Sequence, residues 1–273
     1  GYARVLEYQS AAYAQTYLTR LESIFLAEQK TQTPDANAWP VTEESARWLA
    51  LWMAFDDVVR VADLKSRLSR LQRVRGEVKA KEDELLKIYD HFKPGVPELA
   101  GLLPTGLAQK LIRWDRQRVA RGKEPWALPL KIGTHSVLGM LALRLLASLK
   151  WLRVRGSRFA TEQALIERWL AGVVDGTRRH WQTGHEVALC GRLIKGYGST
   201  NERGKHNLLH IMTQALNTTV PQTARSVALW RQAALQDDAG QALDSQLRAQ
   251  GALARPLREQ PIRWMRKPPS HPN

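Results

Sequence analysis

Apolar residues recur at the spacing of an α-helix along most of this 273-residue chain. Between Val5 and Phe25 they fall near the period that places side chains on one face of a helix. Further helices are predicted, in chain order, from residue 42 into a basic segment and at about 96–103, 105–120, 136–154, 157–189, 200–217 and 221–235. The pattern predicts a mainly α fold, a multi-helix bundle.

Strand-like patterns are confined to two short segments. Residues 84–89 precede a turn at 92–95, and residues 128–132 are suited to pair with them. Residues 34–40 are expected to form a linker between helices. After residue 235 the chain becomes rich in Ala, Gln and Asp and then in Pro, which predicts a C-terminal helix and an extended tail in which Trp264 and Met265 dock. We therefore predict a helical domain over 1–235 and a separate terminal segment over 236–273.

Composition limits the function. A net charge of +15 favours acidic partners or ligands. One cysteine excludes an internal disulfide and an iron–sulfur cluster held only by thiolates of this chain, and it suits a reducing, cytoplasmic setting. No apolar run approaches the ~20 residues that cross a bilayer, so no membrane association is expected. The sequence does not begin with methionine, and a helical pattern of apolar residues is already present by Val5. We therefore expect that residue 1 is not the first residue of the natural polypeptide.

A flexible, positively charged corner precedes the helix predicted from residue 200. In this basic corner, residues 192–203, Gly196 and Gly198 permit backbone angles that side chains disfavour, and Ser199 followed by Glu202 matches a capping box. The free N–H groups of the helix and the nearby cations would favour an anion or a partner's carboxylate. The predicted contact residues are Arg192, Lys195, Gly196, Tyr197, Gly198, Ser199, Thr200 and Arg203. A helix cap, a turn and an N-cap would explain the glycines and the serine, but not the charge.

The sequence predicts no catalytic residue and no metal site. The corner lacks the residue order of a phosphate-binding loop. His206 and His210 are four residues apart, as in some zinc sites, but no further ligand accompanies them, so ordinary helix surface is favoured. Five residues of helix would point His185 and Cys190 apart, so a buried structural cysteine is predicted rather than a nucleophile.

A second basic feature supports an alternative function. Residues 60–81 hold eight basic and two acidic side chains, a composition that suits phosphate binding. The alternative hypothesis for the function is a basic helical module that binds nucleic acid. A solvated helix face is the commoner explanation, and no zinc finger, RNA-binding aromatic motif or helix-turn-helix spacing accompanies the run. Asp56 and Asp57 are predicted to pair locally with Arg60.

Several segments resemble the C-terminal region of the bacterial indolepyruvate oxidoreductase subunit beta family. The similar segments are residues 7–14, 49–65, 92–95, 162–170, 193–200 and 258–264. The segment Leu193-Ile-Lys-Gly-Tyr-Gly-Ser-Thr200 is typical, although the family more usually has an acidic residue where Ser199 stands.

The resemblance implies a part of a 2-oxoacid:ferredoxin oxidoreductase. Such enzymes decarboxylate arylpyruvates such as indolepyruvate to acyl-coenzyme A and pass electrons to ferredoxin. It also implies that an N-terminal domain precedes this region, while an alpha subunit carries the thiamine diphosphate and the iron–sulfur clusters. Since none of those motifs occurs here, we expect an accessory domain that supports complex assembly or the approach to the active site, without a cofactor of its own.

Overall fold

The computed structural model describes residues 1–31, 38–81, 84, 86–196, 198–217, 223–236 and 240–256. Within them the chain is mainly helical, as predicted, with one small antiparallel sheet. The helices are α1 (Tyr2–Tyr8), α2 (Ala11–Glu28), α3 (Pro40–Met53), α4 (Val58–Lys65), α5 (Leu68–Glu77), α6 (Val96–Ala100), α7 (Thr105–Ala120), α8 (Val137–Ser148), α9 (Lys150–Arg153), α10 (Ser157–Arg179), α11 (Trp181–Leu189), α12 (Ser199–Asn217), α13 (Thr223–Gln236) and α14 (Gln241–Ala249). A 3-10 turn, Cys190–Leu193, follows α11.

Four helices that the periodicity predicts as continuous are broken, and one of them, predicted over 136–154, divides at Leu149 into α8 and α9. The first predicted helix is interrupted after Tyr8, and α2 begins after Ser10. Ser10 caps α2, because its hydroxyl accepts a hydrogen bond from the backbone N–H of Tyr13 at 3.3 Å. The helix predicted from residue 42 ends at Met53, and Asp57 caps the helix that follows. His180, with an extended backbone, separates α10 from α11. Each break turns the chain at a point where the apolar period continues, so the periodicity alone did not reveal it.

The sheet is the two-stranded element that was predicted, with one strand displaced. Strands β1 (Tyr89–Phe92) and β2 (Leu130–Gly133) pair antiparallel, with Phe92 opposite Leu130. The first strand therefore begins at the residue where the predicted one ends. Pro40, placed in the predicted linker, instead opens α3, a position that suits a residue without a backbone N–H. Residues 34–37 of that linker lie outside the described residues, as do residues 257–273 of the predicted tail.

The hydrophobic core lies around α10, which packs against α2, α3, α11 and α12. Trp169 on α10 and Trp230 on α13 are among its largest fully buried side chains, and Leu243 and Leu247 of α14 belong to the same cluster. Helices α10 and α11 approach closely at glycine: a Cβ on Gly184 would lie 2.0 Å from the hydroxyl oxygen of Thr177. The core thus fixes the ends of α3, α10 and α12, where the candidate site lies. None of the described helices has both the length and the apolar character to cross a bilayer.

Candidate functional site

A cavity of about 370 Å³ opens where the basic corner meets the main bundle. Its walls come from α1, α3, the loop that joins α3 to α4, the first turns of α10, the corner and the start of α12. The polar and charged residues that line it are Arg4, Asp56, Arg158, Glu162, Arg192, Lys195, Asn201 and Lys205. Side chains far apart in the sequence therefore meet around one space, which is large enough for a small organic anion or for the end group of a larger one.

The cavity is electropositive. Five lining cations, Arg4, Arg158, Arg192, Lys195 and Lys205, face two lining carboxylates, Asp56 and Glu162. Walls of low dielectric concentrate the field of such an excess of charge, so an anion that enters is attracted more strongly than at an open surface. The start of α12 adds the partial positive charge of a helix N-terminus on the same side.

Glu162 and Lys205 form a buried ion pair in the cavity wall. The ammonium nitrogen of Lys205 lies 2.5 Å from Oε1 of Glu162 and also donates to Glu202 at 3.1 Å. The other carboxylate oxygen, Oε2, accepts the indole N–H of Trp52 at 2.8 Å. Arg158 adds a longer ion pair to Glu162 at 3.8 Å. Because both oxygens of Glu162 hold partners, its carboxylate serves to fix Lys205 and Trp52 rather than to accept a proton from a substrate.

An aromatic wall faces the cations. The indole N–H of Trp48 donates to Glu44 at 3.0 Å, which fixes one ring, while the ring of Trp52 packs 5.7 Å from that of Trp169. Gly191 allows the corner to approach this wall, because a Cβ there would lie 2.6 Å from Cβ of Trp48. With Phe55, these rings give the cavity an apolar side next to its charged side, an arrangement that suits an anion with a flat apolar part.

The structure divides the predicted corner residues into two groups. Arg192, Lys195 and Gly196 line the cavity. Thr200 and Arg203 do not; together with Lys195 they line a much smaller depression of about 10 Å³. The two corner glycines have the left-handed backbone expected of them, with φ values of +72° and +55°.

The start of α12 lies close to its predicted position. The helix begins at Ser199, one residue earlier than predicted, and the backbone N–H of Glu202 donates to the carbonyl oxygen of Gly198. The side chain of Ser199 and all of Tyr197 lie outside the described residues, so the capping box and the contact assigned to Tyr197 stay predictions.

The cysteine and histidine candidates lie elsewhere. Cys190 is fully buried behind the corner, and burial raises the pKa of its thiol to about 12, which keeps it protonated and unreactive near neutral pH. His210 lies with Nε2 2.7 Å from the carbonyl oxygen of Leu253, so it tethers the segment after α14. In the described ranges no three His, Cys, Asp or Glu side chains are grouped as a metal ion would require.

Internal ion pairs occupy much of the basic segment 60–81. Arg60 and Arg67 both bind the carboxylates of Glu7 and Asp63. Lys65 and Arg70 both bind Asp90, at 2.6 and 2.8 Å. Cations that are already paired with carboxylates of neighbouring helices and of the sheet bind phosphates less strongly. This geometry therefore does not favour the alternative function, a module that binds nucleic acid.

The predicted ion pair between the side chains of Asp57 and Arg60 was wrong. Asp57 accepts the backbone N–H of Arg60 at 2.6 Å, as an N-cap does, but its carboxylate binds the guanidinium of Arg153, 96 residues later. The periodicity gave no signal for this pair, because a run of local cations offered Asp57 nearer partners.

Most residues of the cavity wall were not predicted from the sequence. Two of them, Glu162 and Lys205, nevertheless lie in a sequence pattern that indicates a buried charged residue. Glu162 lies on the helix face that buries Ile166 and Trp169, at spacings of four and seven residues. Lys205 precedes buried Leu208 on α12 in the same manner. A charged residue on an apolar face needs a buried partner, so the two positions were candidates for a pair.

These residues all lie in the part of the chain that comparison places in a family. The chain belongs to DUF6537, a family of unknown function, whose model matches residues 1–214. Searches of the curated proteins and of the solved structures found no match. The match covers every residue of the cavity wall and ends within α12.

Proposed function

We propose that this DUF6537 chain is the accessory, C-terminal helical domain of an indolepyruvate (arylpyruvate) ferredoxin oxidoreductase beta subunit, and that its cavity receives an anionic group of that cytoplasmic complex. One observation supports the proposal most. Three segments that resemble the oxidoreductase family, residues 49–65, 162–170 and 193–200, each contribute side chains to the same cavity wall. Sequence likeness spread over distant segments is thereby concentrated at one place in the fold.

The chemistry of the wall narrows what it would bind. Lys195 and Arg192 are exposed at the mouth, whereas Lys205 is buried deeper and fixed by Glu162. A carboxylate or phosphate would contact the mouth cations first, and an apolar part would lie against the indole of Trp52. The carboxylate of an arylpyruvate, a phosphate of coenzyme A and a carboxylate of the alpha subunit all meet this description.

The domain would not perform the redox step. Thiamine diphosphate, the iron–sulfur clusters and the transfer of electrons to ferredoxin belong, in this proposal, to the alpha subunit and to other segments of the complex. The contribution of the cavity is to hold an anion in place, and Lys205, which Glu162 already fixes, would lose little freedom on binding.

Charge reversal at the mouth of the cavity tests the proposal. In the full beta subunit, Arg192→Glu with Lys195→Glu should weaken binding of coenzyme A, of indolepyruvate or of the alpha subunit at least tenfold, measured by calorimetry for each in turn. The matched control is Lys110→Glu with Arg113→Glu, two exposed cations of α7 that do not line the cavity, with the same change in net charge. If all three affinities survive the corner variant while circular dichroism shows an intact fold, the cavity has no role in the complex.

A further inference from the structure

Helix α8 presents a stripe of apolar side chains to solvent. Val137, Leu138, Leu141 and Leu145 are 84, 79, 61 and 67% exposed. Their spacing of one, four and eight residues places them on one face of the helix. Large apolar side chains grouped in this way on a protein surface mark a site of interaction.

The opposite face of α8 is also apolar, and it is already used. Leu143 is fully buried, and the helix packs against α4. A helix that is apolar on all sides is normally buried on all sides. In α8 only one side is covered by the described residues, so the exposed stripe is suited to be covered by another molecule.

The charge around the stripe indicates what that molecule is. Helix α8 carries one charged side chain, Arg144, and no Asp or Glu. Arg144 is exposed and lies seven residues after Val137, which places it at the margin of the stripe. An apolar centre with a cationic margin is complementary to a surface that is apolar at its centre and acidic at its edge.

We propose that the α8 stripe docks an amphipathic helix of a partner protein, whose apolar face packs on Leu138, Leu141 and Leu145 and whose acidic side chains lie opposite Arg144. A second copy of the chain is less suitable, because each copy carries a net charge of +15 and the two cationic margins would meet. A bilayer surface is less suitable too, because an interfacial helix has a polar, Lys- and Arg-rich back, whereas the back of α8 is apolar and buried. This inference concerns a face separate from the cavity and does not depend on the proposed function.

A designed peptide of defined chemistry tests the docking. The probe is a fluorescein-labelled 21-residue helix with Leu on one face and Glu on the others, titrated with the whole chain and followed by fluorescence anisotropy. Leu138→Gln with Leu145→Gln should weaken binding at least tenfold. Leu68→Gln with Leu253→Gln removes two equally exposed leucines outside the stripe and should leave the affinity unchanged. A second variant, Arg144→Glu, should shift the preference from the Glu peptide to an otherwise identical Lys peptide.

Other outcomes would overturn the proposal. They are equal binding by the stripe variant, a preference of the native chain for the Lys peptide, or binding to phosphatidylglycerol vesicles with no binding of the Glu peptide. Self-association in sedimentation that disappears with the two stripe leucines would assign the surface to a second copy instead. Since Leu138, Arg144 and Leu145 are exposed, their substitution should leave the circular dichroism spectrum and the urea unfolding midpoint unchanged.

Discussion

The buried pair between Asp57 and Arg153 gives the sharpest test of how this fold is held together. The Nε of Arg153 donates to Oδ2 of Asp57 at 2.6 Å, and Nη2 donates to Oδ1 at 3.0 Å. The remaining guanidinium nitrogen, Nη1, donates to the carbonyl oxygen of Tyr8 at 2.8 Å and to the side chain of Gln9 at 2.9 Å. One side chain thus joins α9, the end of α1 and the loop before α4, with its charge 4.0 Å above the Tyr8 ring.

Arg153→Met should destabilise the protein strongly, because it leaves the Asp57 carboxylate buried without its counter-ion. Breaking a buried pair by removal of one partner costs about 3–5 kcal/mol. Methionine approximately preserves the volume of the aliphatic stem, so little of this cost would come from a cavity. With a urea m-value of about 3 kcal/mol/M, the upper end of the usual range, the midpoint should fall by roughly 1–2 M.

Equilibrium urea unfolding, followed by circular dichroism and by tryptophan fluorescence, measures the change. Arg73→Met is the matched control: Arg73 and Glu77 form an exposed pair at 3.6 Å, for which a loss of no more than about 0.5 kcal/mol is expected. The double variant Asp57→Asn with Arg153→Met removes both charges and keeps a capping side chain. It should therefore be more stable than the sum of the single changes predicts, by about 1–3 kcal/mol. If Arg153→Met costs no more than the control, or if the double variant is simply additive, the pair does not hold these elements as argued.

Three further predictions concern the bundle, the thiol and the C-terminal helix. Gly184→Ala should lower the free energy of unfolding by ~1–3 kcal/mol, because the new Cβ would overlap α10. Gly76→Ala, on α5 with no atom near the new Cβ, should raise the free energy of unfolding by ~0.5–1 kcal/mol. Urea midpoints that shift in the same direction for both variants would contradict this prediction. Cys190, whose pKa burial raises to about 12, should react with Ellman's reagent at pH 8 only after unfolding, and stoichiometric labelling of the native chain would refute its burial. Hydrogen bonds from Arg255 hold the pKa of Asp244 below its usual value, so the pair stabilises the fold above about pH 4 and less as the pH falls through the lowered pKa. Asp244→Asn should accordingly cost ~1–3 kcal/mol at pH 7, with a deficit that narrows below about pH 4 in thermal unfolding; a deficit constant with pH would exclude the charge as its origin.

The helices could be predicted from the sequence, but not the places where they turn. The apolar period continues through Ser10 and through His180, because both sides of each turn bury residues in one core. The turn at Ser10 had a local signal, a serine suited to cap a helix. The turn at His180 had none: no proline or glycine occupies it, and it depends on the close approach of α10 and α11 at Gly184, a contact between segments that periodicity does not report.

The candidate site could be predicted only in its corner. Charge and glycine at adjacent positions identified Arg192, Lys195 and Gly196, since these are properties of one short segment. The opposite wall, with Trp52 and Glu162, comes from helices whose sequences read as ordinary core formers. Which helices meet at a cavity depends on packing between segments that are distant in the sequence. The residues of such a wall are therefore present in the sequence, but their proximity cannot be predicted from it.

The Asp57–Arg153 pair also connects stability to the site. Ala54, Phe55 and Asp56 line the cavity, and the next residue along the loop is the one that Arg153 binds. The guanidinium therefore fixes one end of a loop whose other end is fixed by the buried α3. Loss of the pair would loosen the end of this loop that carries the Asp56 carboxylate, although Arg153 does not line the cavity. Ligand affinity should then fall in Arg153→Met even under conditions where the chain remains folded, because a wall that must be ordered on binding binds less tightly than one held in advance.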